Sequence, residues 1–126
     1  MTILSGMTFY MPKNDPRRTA HLWIVLTDPD ENGKFLGVNI TSYELFKDLT
    51  VILTAGEHPF IVKRSVVQYT DARIFTVENM DLLIGRGFAE LREECSDALL
   101  EKARAGLMKS DHAPQDAQDY LELRLS

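Results

Sequence analysis

The chain has 126 residues, of which 44% are hydrophobic and 26% are charged, so it suits one globular domain with one core. No apolar run reaches the roughly 18 residues that a membrane helix needs, which excludes a membrane-spanning protein. The single cysteine excludes an internal disulfide framework and, with no secretory signal at the N-terminus, predicts a cytoplasmic location.

The net charge of −5 argues weakly against a nucleic-acid partner. Residues 1–76 carry eight Lys/Arg against eight Asp/Glu, whereas residues 77–126 carry six against eleven. The acidic excess therefore lies entirely in the C-terminal part. The neutral N-terminal part could still contact phosphates through local basic positions.

Two apolar runs, residues 20–26 and 35–41, predict a β-hairpin around which the rest of the chain packs. The connection ends in Asn32-Gly33, which is a strong hairpin-turn signal. Gly37 inside the second run predicts a β-bulge or a close approach of another backbone. Before the hairpin, residues 7–10 predict a short edge strand, and two prolines predict a loop over residues 12–16.

Further strands follow the hairpin. Residues 42–47 read as a helical turn or a wide loop, residues 50–54 as a third strand and residues 60–62 as a short strand. The β-rich run Ser65–Thr76 has a polar interruption at Thr70-Asp71, where a bend is predicted.

The pattern becomes helical after residue 77. Residues 78–84 predict a short helix closed by glycines, and apolar residues at spacings of three and four predict a helix of about five turns over residues 88–107. This pattern places Cys95 on the inner face of that helix, and Gly106 and Ser110 mark its end. We expect a single barrel-plus-helix domain over residues 1–110, followed by a polar C-terminal tail over residues 111–126 with one short helix beginning near Pro114. Strands followed by helices predict a mainly β, α+β fold or a small barrel capped by a helix.

No motif for a nucleotide phosphate, a metal or an acyl-transfer nucleophile is present, so neither a cofactor nor a metal is predicted. What remains is a set of polar residues at strand ends. Because antiparallel strands run out and back from the turn, His21 and Thr41 should meet at the open end of the hairpin. His58 lies in a Glu-His-Pro turn, and Lys63 and Arg64 follow it.

Two imidazoles, a hydroxyl and a cation would suit phosphodiester cleavage. In this hypothesis His21 and His58 are the acid and the base, Thr41 positions the phosphate and Lys63 offsets its charge. Contacts to the substrate are assigned to Arg17, Arg18, Ser42 and Arg64. Each histidine could instead bind a backbone carbonyl, and Trp23 fits a core position better than a base-stacking one.

The segments Leu22-Trp-Ile-Val-Leu-Thr27 and Val38-Asn-Ile-Thr-Ser42 resemble the two characteristic segments of the MazF/PemK (Kid, CcdB-like) toxin superfamily, and Ser65-Val-Val-Gln-Tyr-Thr-Asp-Ala-Arg-Ile74 resembles its later segment. The resemblance covers roughly residues 18–105. It implies a small SH3-like β-barrel with a C-terminal helix and a toxin-type endoribonuclease that cleaves single-stranded RNA without metal. It also implies a homodimer and a small antitoxin protein as a partner.

In that family a catalytic arginine and threonine would fall on His21 and Thr41. Histidine cannot make the bidentate contact of an arginine, so Arg18 or Lys63 would have to replace it, or the activity is lost. The alternative is a non-catalytic SH3-like-barrel binding module for a protein or peptide. The acidic C-terminal part favours this alternative.

Overall fold

The computed structural model describes residues 2–126. Within this range the chain forms six strands and three helices in the order β1 (Thr8–Met11), β2 (His21–Val25), β3 (Lys34–Ser42), β4 (Ile52–Leu53), β5 (Ser65–Thr76), α1 (Val77–Gly85), β6 (Glu90–Arg92), α2 (Asp97–Lys109) and α3 (Gln115–Leu125). The strands make one curled antiparallel sheet, a half-barrel, in the order β4-β5-β3-β2-β1-β6. The predicted mainly β, α+β class is confirmed.

The β2–β3 hairpin is confirmed as the centre of the sheet. At its turn the N–H of Gly33 donates to the carbonyl of Asp30, and the carboxylate of Asp30 accepts from the backbone N–H groups of Asn32 and Lys34. Gly33 has a φ of +74°, a conformation that glycine adopts without strain. The turn fixes a register in which Leu22 pairs with Ile40.

The bulge expected at Gly37 is also confirmed. The register of β3 against β5 shifts between Gly37 and Asn39, which pair with Arg73 and Gln68. Two steps along β3 thus correspond to five along β5, so the extra residues bend β5 at the predicted Thr70-Asp71 interruption. A Cβ at Gly37 would lie 2.8 Å from the Phe75 ring, which explains the absence of a side chain there.

Two apolar clusters cover opposite faces of the sheet, because successive side chains of a strand point to opposite sides. Leu22, Ile24 and Val38 face the larger cluster with α2 and α3. Trp23 and Val25 face the smaller one, beside Met80 of α1. Trp23 packs edge-on against Phe75 with ring centroids 5.2 Å apart, so its predicted core role is confirmed.

Three predicted elements are wrong in part. Residues 60–62 form no strand, because Pro59 lies within a tight turn in which the Ile61 N–H donates to the carbonyl of His58. Residues 50–54 shorten to the two-residue edge strand β4. Residues 8–11 do not form an edge strand, since β6 lies outside β1.

The predicted helix over residues 88–107 begins only at Asp97. Gly87, with a φ of +78°, follows α1, and Leu91 belongs to β6, where it pairs with Phe9. The hydroxyl of Ser96 then caps α2 by accepting from the Leu99 N–H at 3.1 Å. Cys95 is buried as expected, but it precedes the helix instead of lying on its face, and burial raises its pKa to about 11.

The helix expected near Pro114 is confirmed as α3, and it packs on the core through Ala117 and Leu121. The Tyr120 hydroxyl donates to Asp30 and approaches the carbonyl of Lys34, which ties α3 to the hairpin turn. Among residues 2–126, no helix is long and apolar enough to cross a membrane.

Gly106 lies inside α2 and does not end it. A Cβ at this position would lie 2.1 Å from the Tyr69 hydroxyl oxygen and 2.3 Å from a methyl of Val51. The glycine therefore lets α2 approach the sheet, and the Tyr69 hydroxyl donates to the carbonyl of Ala103 at 2.8 Å.

We predict that Gly106→Ala lowers the free energy of unfolding by about 1–3 kcal/mol through overpacking. Alanine favours a helix over glycine by only about 1 kcal/mol, which does not offset this loss. Urea denaturation measures the effect. Gly85→Ala is the matched control, because nothing lies within 4 Å of a Cβ there, and it should be neutral or slightly stabilising. An unchanged stability of Gly106→Ala would contradict the packing account.

Candidate functional site

A cavity of about 280 Å³ opens at the free end of the β2–β3 hairpin, far from its turn. Three segments line it: residues 19–22, residues 40–42 and the turn that leads into β5. Four of the predicted site residues are among its lining residues: His21, Thr41, Ser42 and Lys63. The register that pairs Leu22 with Ile40 places His21 beside Thr41, as the hairpin geometry predicted.

Lys47 is a site residue that the sequence did not single out. Its Nζ donates to the Thr41 hydroxyl and to the Ser42 carbonyl, each at 3.0 Å, and lies 3.7 Å from a carboxylate oxygen of Glu44. The Thr41 oxygen is thus an acceptor for the ammonium, and its own hydrogen stays free to bind an acceptor on a ligand. Only its position six residues after Thr41, in a turn that folds back, could have pointed to this lysine.

Arg64 is held next to the cavity by its neighbour in space, Tyr43. The guanidinium carbon lies 4.1 Å from the centre of the Tyr43 ring, and the Tyr43 N–H donates to the Arg64 carbonyl at 3.1 Å. These contacts join the end of β3 to the segment before β5. Both Lys63 and Arg64 are exposed.

The surroundings of the cavity are basic in an otherwise acidic protein. Residues 17–22, 40–47 and 60–65 carry five Lys/Arg against one acidic residue, Glu44, although the whole chain has a net charge of −5. Asp15 and Asp48 flank these segments, and with both included the balance is five Lys/Arg against three acidic residues, so a surplus of cations remains. Such a local surplus of cations attracts anionic ligands.

Arg17 and Arg18 lie on the loop that enters β2, exposed and outside the cavity lining. The backbone N–H of Arg17 donates to Asp15 and, with the Arg17 guanidinium, lowers the pKa of that carboxyl. Both arginines stay within a few residues of the lining residue Thr19. They can contribute to the field at the entrance without forming the cavity wall.

His58 lies elsewhere. It is almost fully buried, and its ring nitrogens contact the backbone: the Phe60 N–H donates to Nδ1 at 2.9 Å, and Nε2 lies 2.5 Å from the Glu93 carbonyl oxygen. This network assigns the proton of the neutral ring to Nε2. The contacts favour the alternative in which His58 is structural, and the structure does not bring it into the cavity with His21.

Among residues 2–126, no group of three or more His, Cys, Asp or Glu side chains has the arrangement of a metal site. The chemistry of the cavity comes from an imidazole, hydroxyls and ammonium groups. These groups can donate hydrogen bonds to an anion, and an imidazole can serve as a general acid or base.

Asp48 anchors the turn that carries Lys47. One carboxylate oxygen accepts from the N–H and hydroxyl of Thr50, and the other accepts from the Ser110 hydroxyl at 2.6 Å, which links this turn to the end of α2. Burial alone would raise the pKa of Asp48, but the hydrogen bonds from Ser110 and Thr50 bring it below its ordinary value of 3.8.

We predict that Asp48→Asn destabilises the protein at neutral pH and that this difference shrinks in acid. A carboxyl with a lowered folded-state pKa contributes stability above the unfolded-state value, and this contribution is lost as pH falls below 3.8 through the folded-state pKa. Urea midpoints at about pH 7 and about pH 3 measure it. Asp81→Asn, at an exposed position of α1, is the control. An Asp48→Asn difference that is equal at both pH values would contradict the role of the ionised carboxylate.

Comparison with known proteins assigns no function, so a functional assignment depends on the geometry of the site. No family model matches the chain, and no curated protein is significantly similar to it.

Proposed function

We propose that the chain is a metal-independent endoribonuclease of the MazF/PemK toxin type, built on an SH3-like barrel, that cleaves single-stranded RNA at the cavity beside His21. The observation that carries this proposal is that one cavity is lined by His21, Thr41, Ser42 and Lys63 and lies among a local surplus of cations. Acid–base, hydroxyl and cationic groups are what cleavage of a phosphodiester requires.

Thr41 and Lys47 bind the scissile phosphate in this proposal. The Lys47 ammonium occupies a lone pair of the Thr41 oxygen, so the Thr41 O–H points its hydrogen to a phosphate oxygen. The ammonium groups of Lys47 and Lys63 offset the charge that builds up on the phosphorus oxygens. Lys47 thus shares the role that the sequence analysis assigned to Lys63.

His21 is the general base. It removes the proton of the ribose 2′-hydroxyl, the 2′-oxygen attacks phosphorus, and the bond from phosphorus to the 5′-oxygen breaks. The leaving 5′-oxygen takes a proton from water at the open mouth of the cavity. The products are a 2′,3′-cyclic phosphate and a 5′-hydroxyl, and His58 has no part in this scheme.

The resemblance to the toxin superfamily supports the same assignment from a different direction. The position of the family's catalytic arginine falls on His21, and cations near the cavity replace the charge that this arginine would carry: Lys47, Lys63 and Arg64. On the basis of this resemblance, the proposal also includes that the chain forms a homodimer and that a small antitoxin protein binds it.

A second candidate function is a non-catalytic module that binds a protein or peptide. It is favoured by three large apolar side chains beside the cavity segments, Leu45, Phe46 and Val62, which are 80%, 81% and 79% exposed. Exposed apolar groups on adjacent loops are typical of protein-binding surfaces. In this case the basic groups would orient an acidic partner.

We predict that the purified protein cleaves single-stranded RNA in the presence of a chelator and leaves 2′,3′-cyclic phosphate ends. His21→Ala should reduce the rate roughly 10²–10⁴-fold, because the general base is lost. Gel analysis of labelled RNA measures both, with the cyclic ends identified by their resistance to phosphatase before acid treatment and their sensitivity after it.

His112→Ala is the matched control, since His112 is an exposed histidine outside the cavity lining, and it should keep the wild-type rate. Folded wild-type protein that leaves RNAs of diverse sequence intact would reject the enzyme and favour the protein-binding module. Equal rates for His21→Ala and wild type would reject His21 as the base.

A further inference from the structure

The β5 bulge brings three polar side chains together on the sheet. Asp71 lies in the bulge, opposite the register shift of β3 between Gly37 and Asn39. The side-chain amides of Asn39 and Gln68 both donate to Asp71 Oδ2, at 3.1 and 2.7 Å. Bulges are often found where a strand re-aims a side chain toward a binding site.

The free hydrogen-bonding capacity of this cluster consists of acceptors. The amide donors of Asn39 and Gln68 point inward to one oxygen of Asp71, and both bonds to this carboxylate that are seen within residues 2–126 use Oδ2. Oδ1 of Asp71 therefore remains for a ligand. Asn39 itself is buried, so its role is to hold Asp71 in place and the acceptor offered to a ligand is the Asp71 carboxylate.

The cluster lies on the same face of the sheet as the catalytic groups. Asn39 pairs with Trp23, which is two residues from His21, and Asn39 is itself two residues from Thr41. Residues i and i+2 of a strand share a face and are about 7 Å apart. This separation is comparable to the distance between a nucleotide's phosphate and its base.

Arg73 keeps this face from being purely acidic. Its guanidinium carbon lies 4.9 Å from the centre of the Trp23 ring, and the side chain is exposed. A cation beside Asp71 reduces the repulsion between the carboxylate and an RNA backbone. Gln68 and Asp71 are half-buried, which leaves the cluster open to a flat ligand edge.

We propose that Asp71, positioned by Asn39 and Gln68, reads a guanine base next to the phosphate held at Thr41; this inference rests on the proposed RNA-cleaving function. Guanine is the base whose Watson–Crick edge presents adjacent N–H donors, on N1 and on the 2-amino group, to a set of acceptors. Adenine and cytosine offer one amino group beside an acceptor nitrogen, and uracil offers one N–H between two carbonyls, which the Asp71 carboxylate repels.

The test is binding, so that it does not depend on cleavage. The probes are fluorescein-labelled oligouridines with 2′-O-methyl groups, which cannot be cleaved, and a single central guanosine, inosine, adenosine or uridine. Fluorescence anisotropy measures their affinities for wild type, Asp71→Asn and the control Asp81→Asn. Circular dichroism establishes that each variant is folded.

We expect wild type and Asp81→Asn to bind the guanosine probe about tenfold more tightly than the adenosine and uridine probes. The inosine probe, which lacks the 2-amino group, should fall between them. Asp71→Asn should remove the preference, because its amide group would turn a donor toward the donors of guanine and would no longer repel the carbonyls of uracil.

Equal binding of all probes by wild type would overturn the guanine assignment and leave the proposed function intact. A guanosine preference that survives in Asp71→Asn would assign base reading to other residues. No binding of any probe by the folded wild type would overturn the proposed function, and this inference with it.

Discussion

The antiparallel register of β2 against β3 is the constraint on which the candidate site depends. It is set at the opposite end of the hairpin, where the Asp30 carboxylate accepts two backbone N–H groups and the hydroxyl of Tyr120. The hydrogen bond from the Lys34 N–H is the main cause of the lowered pKa of Asp30. The turn is therefore held by an ionised carboxylate at neutral pH. A slip by one residue would move every side chain of the strand to the other face of the sheet. His21 and Thr41 would then no longer share a face.

The two ends of the hairpin thus differ in structure. The turn end is closed by α3 and by hydrogen bonds, whereas the open end keeps a cavity and a group of exposed cations. Apolar clusters on both faces hold the strands between them. In an acidic protein, positive charge is thus concentrated at one edge of the sheet, whereas residues 77–126 as a whole carry the acidic excess. An anionic ligand would be attracted to that edge.

The parts of the fold and site that could be predicted from the sequence are those specified by local signals. Asn32-Gly33 predicted the turn, and the turn predicted that His21 and Thr41 are neighbours. The interruption at Thr70-Asp71 predicted the bend. Each of these features is decided within a few residues, by turn conformation or by strand alternation.

The features that the sequence did not reveal depend on long-range contacts. Lys47 contacts Thr41 from a turn that Asp48 links to Ser110, which is 62 residues away in the chain. His58 is buried because β6 brings the carbonyl of Glu93 to its ring. Apolar residues keep helical spacing across residues 88–107, although β6 and the N-cap of α2 both lie within this range. The spacing of apolar residues alone does not show where one element ends and the next begins.

The central claim is that the cavity at the open end of the hairpin is where RNA binds. The most direct measurement is amide chemical-shift mapping by NMR as a non-cleavable 2′-O-methyl oligoribonucleotide is added to the isotopically labelled protein. The account predicts shift changes concentrated at three segments: residues 19–22, residues 40–47 and residues 60–65. Changes concentrated instead on the apolar groove between α2 and α3, around Leu100 and Met108, or no changes at saturating RNA, would contradict it.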